Sequence, residues 1–396
     1  MIKKFIQIIL FLFILLLLFL TYLSTYGIST DKFNKLISEK IIKGDKYLEI
    51  DLDKIKIFLN IRNFNFELKT NNPKVFYKKN EIKIKSISTD LKLGNFFLNK
   101  INLKQIKIQT DTNKIKNLIE VARSYKNNTE LFFLNKIIED GLISFESKIT
   151  FNEDGSLRSN YVVDGDIKNL KLKLLNNNVV ENTNFSFLIK EKEYLIYNLS
   201  SLYQSIKIRS NQIKIFDNEN NFVFEGDISN QKNQIDLEKF SNLMSDSFKK
   251  IINENLIIAS NSKFSFKMSK KMKFSDIYFQ TKLSIDKLKF SNNIFKKFFP
   301  GYKEDIKFEN NSITIDFKNS DFEIIGKSML NINGDIDNIN YSLKKIEREF
   351  IYDLSFEFVN SAINFKILNY TKNKGEKSLI NINGKYLESK VINLKN

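Results

Sequence analysis

The chain has 396 residues, with 63 Lys plus Arg against 46 Asp plus Glu for a formal charge of +17, and contains no His, Cys or Trp. Those zeros exclude a disulfide framework, zinc fingers, a catalytic thiol, histidine-based triads and the usual catalytic zinc ligands, leaving carboxylate, Ser, Lys or Tyr chemistry. Apolar residues at 42% and aromatics at 13% are enough to bury a core and too many for a disordered chain.

Only Arg62, Arg123, Arg158, Arg209 and Arg348 are arginines, so Lys supplies nearly all the positive charge and the fork suited to phosphate is scarce. Lys, Asn, Ile and Phe are abundant together while Arg, Ala, Gly, Pro and Trp are depleted, the signature of AT-rich codons. The charge is therefore read as codon bias plus solubility, with no nucleic acid among the expected partners.

Lys3 and Lys4 precede an apolar run from Phe5 to Tyr26 that carries Phe5, Ile9, Phe13, Leu16, Leu20 and Tyr26. Its 22 residues make about 33 Å of helix, enough to cross a bilayer. Residues 1–26 are read as a retained transmembrane anchor. A cleaved signal peptide is the competing reading, because Thr25 and Gly27 are small residues at a plausible cleavage spacing. Lys32, Lys35, Lys40 and Lys43 follow the span, so the local charge count does not favour export of what comes after it.

Thr30 or Asp31 can cap a short surface helix with Phe33, Leu36, Ile37 and Ile41 on one face and Gly44 at its stop. The period then changes to two: Leu48, Ile50 and Leu52, then Ile55, Ile57, Leu59 and Ile61 out of phase, with a bulge or turn near Lys54. Amphipathic helices are expected over 112–125, 130–140 and 236–254. From Leu142 onward strands dominate, with turns at Asn176 to Asn178, Asn292-Asn293, Asn310-Asn311 and Glu153-Asp154-Gly155. About 23 strands result if each strand with its turn uses about 13 residues.

GDIKN from Gly165, GDISN from Gly226 and GDIDN from Gly334 form an internal repeat and suggest repeated units of a few antiparallel strands. So many strands with one apolar face cannot stay flat and wet. They form a filled sandwich, a barrel, or a trough with an apolar floor, and alternation alone does not separate these.

Enzyme motifs do not gather. S-x-x-K occurs at Ser29, Ser247, Ser260, Ser284 and Ser342, as expected by chance in so Lys-rich a chain, without S-D-N or K-T-G companions. Neither phosphate-binding glycine motif is present. The chain is read as non-enzymatic, with no cofactor and no metal.

The span, the stretch Gly27 to Asn34, the alternating run from Leu48, the step Asn72-Pro73-Lys74-Val75 and the run Asp90 to Thr110 together resemble the AsmA-like family (AsmA/TamB-type) over residues 1 to about 125. The resemblance implies a fold that is mainly β: a single inner-membrane span, an N-terminal α+β region (27–141) and an elongated antiparallel sheet curled into a groove (142–396). It implies a C-terminal domain in the periplasm, phospholipids and the inner membrane as partners, and outer-membrane or periplasmic proteins as further candidate partners.

The function so implied is the binding of acyl chains in an apolar β-groove, for phospholipid transport between inner and outer membranes and outer-membrane biogenesis. Each buried CH₂ contributes about 0.8 kcal/mol without directional bonds, so an apolar lining suffices. The most regular strands supply the expected lining: Phe64, Phe66, Leu68, Phe185, Phe187, Ile189, Phe222, Phe224, Phe264, Phe266, Phe356 and Phe358. The alternative is a β-scaffold that regulates outer-membrane protein assembly without carrying lipid.

Overall fold

In a computed structural model, residues 2–31, 34, 47–62, 65–92, 105–126, 128–152, 158, 160–174, 178–218, 220–235, 256–271, 273–290, 299, 306–366 and 369–387 are described. The chain is mainly antiparallel β, and its residues group into two compact units, Met1–Ile196 and Tyr197–Asn396. Strand β12 (Glu193–Tyr203) carries the boundary. Residues 141 and 142, where the sequence reading divides the chain, lie within strand β9 (Ile138–Thr150).

The first unit opens with α1 (Ile2–Thr25), an apolar helix long enough to cross a membrane and exposed from Lys4 to Phe19. Its last turns dock onto the sheet: Leu20 and Leu23 pack against Ile55, Ile57, Leu59, Phe66 and Leu68. Gly27 then reverses the chain at φ +66°, where a Cβ would stand 2.7 Å from the Ile57 carbonyl oxygen, so only glycine fits the turn. The reversal feeds β1 (Ile28–Thr30) alongside β3 (Ile55–Asn60), Ile28 opposite Ile57.

The pairing continues through β4 (Asn65–Asn71), β6 (Asn80–Lys92), β7 (Gln105–Thr110), β9, β10 (Val162–Lys173) and β11 (Val179–Lys190). The break near Lys54 separates β2 (Leu48–Asp51) from β3, and β2 pairs with β5 (Lys74–Tyr77) instead. Lys78 and Lys79 both have positive φ and close a two-residue hairpin from β5 into β6.

A two-residue strand, β8 (Asn113–Lys114), precedes α2 (Ile115–Tyr125), whose Ile115 and Ile119 cover Ile138 and Leu170 on one sheet face. Asn128 caps α3 (Thr129–Ile137) by accepting the Leu131 amide at 2.9 Å. The expected helix over 130–140 therefore ends at Ile137, because Ile138 to Asp140 pair with β10 as strand. The helices expected over 31–41 and 236–254 lie outside the described residues apart from the first few positions of the former.

The second unit is a meander in chain order: β13 (Ile206–Asn218), β14 (Asn221–Ile235), β15 (Leu256–Ser269), β16 (Phe274–Phe290), β17 (Ile306–Lys318), β18 (Asp321–Ile332), β19 (Asp335–Ile346) and β20 (Glu349–Phe358). A small hairpin of β21 (Ile363–Phe365) and β22 (Tyr370–Lys372) leaves the sheet before β23 (Ser378–Leu387) returns beside β20.

Asn333 and Gly334, at φ +55° and +98°, make the two-residue turn between β18 and β19. Gly334 thus belongs to a turn, whereas Gly165 and Gly226 sit mid-strand opposite Phe187 and Phe264. Asn310-Asn311 is not a turn. Asn310, at φ +53°, makes a bulge within β17, since Asn tolerates the left-handed conformation inside a strand.

Candidate functional site

The meander register aligns apolar side chains into rows on one face of the second unit. Phe264, Phe279, Phe317, Phe322, Lys345, Phe350 and Tyr386 lie opposite one another on successive strands. The next row runs Thr281, Ile315, Ile324, Leu343, Tyr352. A third runs Leu283, Ile313, Gly326, Tyr341, Leu354, Ile382.

Rings stack along these rows, Phe279 on Phe317 at 4.7 Å and Phe350 on Tyr386 at 4.7 Å. Most of these side chains are only half-buried. An apolar face left partly open is the informative departure from a filled core.

Toward one end the face deepens into a cavity of about 490 Å³. Ile306, Phe308 and Leu330 form its floor on β17 and β18, and Ile339, Tyr341, Leu354, Phe356 and Phe358 continue it on β19 and β20. Ile380 and Ile382 of β23 close the side, and Phe299 and Phe365 stand over it. Ile363, fully buried, anchors the same cluster. Among the described residues, every lining side chain is hydrocarbon except Tyr341, so none of them would bind an ion, and the volume falls within the range of small-ligand sites, roughly 300–1,000 Å³.

Two buried polar devices hold this shape. Asn311, 2% exposed, donates from Nδ2 to the carbonyls of Ile285 and Phe308, each at 2.9 Å, and accepts the Ser328 hydroxyl at 2.6 Å. It ties β16, β17 and β18 together at the bulge. Asp337 accepts the backbone amides of Val359, Asn360 and Ser361 at 2.6, 2.8 and 2.9 Å.

Burial opposes the charge on Asp337, but the donors of the 359–361 segment outweigh it and hold the carboxyl below its ordinary pKa. The same segment is gripped from its carbonyl side. Lys372 Nζ donates to Val359 O at 3.1 Å, Ser361 O at 2.8 Å and Asn373 O at 3.0 Å. Because β21 starts two residues after Ser361, this clamp sets where Ile363 and Phe365 meet the cavity.

The sequence-predicted lining residues fall in several settings. Phe64 lies outside the described residues. Phe66 and Leu68 are buried in the core beneath the end of α1. Phe185 packs in the cluster under α2, Phe187 is buried over Gly165, and Ile189 is half-buried.

Phe224, Phe264 and Phe266 stack with one another at 4.6 and 5.9 Å, half-buried on β14 and β15. Phe222 lies under the Lys270 ammonium, 3.8 Å from its ring centre. Phe356 and Phe358 line the cavity. Sequence reasoning missed Phe299, Phe308, Leu330 and Ile380 as lining and missed the clamp. Asp337, the fourth residue of the third GDIxN copy, was its only trace in the sequence.

Comparison with protein-family models, curated proteins and solved structures finds no match for this chain.

Proposed function

We propose that the chain is a membrane-anchored, non-enzymatic protein that holds acyl chains on the apolar face of its second unit, with the cavity under Phe299 and Phe365 as the deepest seat. The cavity carries the reading: about 490 Å³ walled by hydrocarbon and aromatic rings opens onto rows of half-exposed Phe, Ile and Leu. An acyl chain gains by leaving water at every CH₂ and asks for no hydrogen bond. The half-exposed row Leu283, Ile313, Gly326, Tyr341, Leu354, Ile382 lets such a chain pass from one strand to the next without meeting a charged side chain, whereas Lys345 interrupts the row that ends at Phe350 and Tyr386.

The anchor reading draws support from Leu23, 7% exposed in the core beneath β3 and β4. Cleavage near Thr25 would strip that core of Leu20 and Leu23, which supports a retained span. The compartment is taken from the AsmA-like resemblance: a single-pass inner-membrane protein with its sheet in the periplasm, contributing to phospholipid transport between inner and outer membranes.

Extraction of the full chain in mild detergent, followed by native mass spectrometry, tests the reading. Phospholipid retained on the chain is the expected result. A folded chain free of lipid would overturn it and leave the sheet as a scaffold for proteins.

A further inference from the structure

The outer edge of β23 has the character of an interface. Among the described residues, β23 pairs with β20 along ten consecutive positions without a bulge, and no described strand pairs with its other side. Natural edges are usually blunted by short length, proline, bulges or inward charge. β23 has none of these. Its one cation, Lys385, is paired to Glu349 on its own chain at 3.4 Å.

The polar face of β23 also carries two leucines that nothing in the fold explains, Leu379 at 61% and Leu387 at 70% exposed. They are symmetric about Asn383. In an antiparallel pairing of two copies centred on Asn383, Leu379 of one copy stands opposite Leu387 of the other, twice. Ile380 meets Tyr386, Ile382 meets Gly384, and Lys385 meets Asn381, so no like charges oppose. Shifting the centre to Ile382 would instead set Leu379 against Lys385 and Leu387 against Lys377, losing the match.

We propose that β23 pairs with β23 of a second copy in this register, a closed two-fold interface of one strand edge on itself. Because the centre falls on a residue, each position meets one of equal parity and both copies present their apolar faces on the same side. The row ending at Phe350 and Tyr386 then continues into the partner copy.

The absence of cysteine from the chain allows a direct test on the full-length protein in detergent micelles. Opposed Cα atoms of an antiparallel pair lie about 4.5–5.5 Å apart, within disulfide reach. N383C is expected to give a covalent dimer under mild oxidation, whereas N381C, opposite Lys385, stays monomeric on denaturing gels.

By light scattering, the wild type is expected at dimer mass. L379K/L387K, with Lys facing Lys twice, weakens self-association by roughly tenfold or more, and L379K/L387E, with Lys facing Glu twice, restores it. Both variants alter exposed positions only. A monomeric wild type, equal cross-linking at 381 and 383, or a dimer indifferent to L379K/L387K overturns the proposal.

Discussion

Asp337 and Lys372 grip one three-residue segment from opposite sides, the carboxylate taking the amides of Val359, Asn360 and Ser361 and the ammonium taking the carbonyls of Val359 and Ser361. Both side chains are almost fully buried, at 3% and 2% exposed. Neither charge would be tolerable there without those partners. The arrangement spends two buried charges on positioning a short hairpin, and that hairpin carries the lid of the apolar cavity.

The clamp has a pH signature. Asp337 has a folded-state pKa below its unfolded value, so its contribution is complete above the unfolded pKa, about 3.9, and is lost as pH falls through the folded value. Asp337→Asn should destabilise at pH 7 by about 1.5–3 kcal/mol and lose less than the wild type between pH 5 and pH 3. Thermal melts of both proteins across that range check this.

Because the two side chains hold the same backbone, their removal should not add. Lys372→Met alone removes a donor from the carbonyls of Val359, Ser361 and Asn373, of which Val359 keeps the Gly375 amide, at a cost of about 1–3 kcal/mol. The double variant with Asp337→Asn should cost less than the sum of the single changes, read by denaturant unfolding, with faster amide exchange over 359–372.

Leu23 couples the apolar helix α1 to the sheet. Leu23→Ala should cost roughly 2 kcal/mol and loosen β1 and β3 to proteolysis. Intact-mass measurement of the membrane-extracted protein should find residues 1–27 present. A mature chain starting after Thr25 would contradict the docking of α1 onto β3.

Gly165 sits where a Cβ would stand 2.5 Å from the Ser144 carbonyl oxygen and 2.8 Å from the Phe187 ring. Neither neighbour can retreat easily, one being backbone and the other buried. Gly165→Ala should therefore destabilise by about 1–3 kcal/mol. Chemical denaturation of the two proteins checks it.

Much of the fold is legible in the alternation of apolar residues. The step out of phase at Lys54 marks the break between β2 and β3, and Phe264 and Phe266 or Phe356 and Phe358 share a face as their spacing requires. What alternation cannot carry is whether a face is filled or open, because Phe187 under its neighbours and Phe224 on the half-exposed face have the same local pattern. That distinction is made by segments far away in sequence, such as α2 over Phe185 and Phe299 and Phe365 over the cavity.

Asn was also ambiguous. The same left-handed preference that makes Asn333-Gly334 a turn makes Asn310 a bulge inside β17, and only pairing on both sides of it decides.

The central claim, acyl chains on the apolar face of the second unit, is tested most directly by site-specific photo-crosslinking in membranes. A benzophenone side chain is placed at Tyr352 or Leu354 on the apolar face, and at Ile325, 53% exposed on the opposite face. Lipid adducts, detected by mass spectrometry, are expected at 352 and 354 and none above background at 325. Adducts at all three positions alike, or at none, would contradict it.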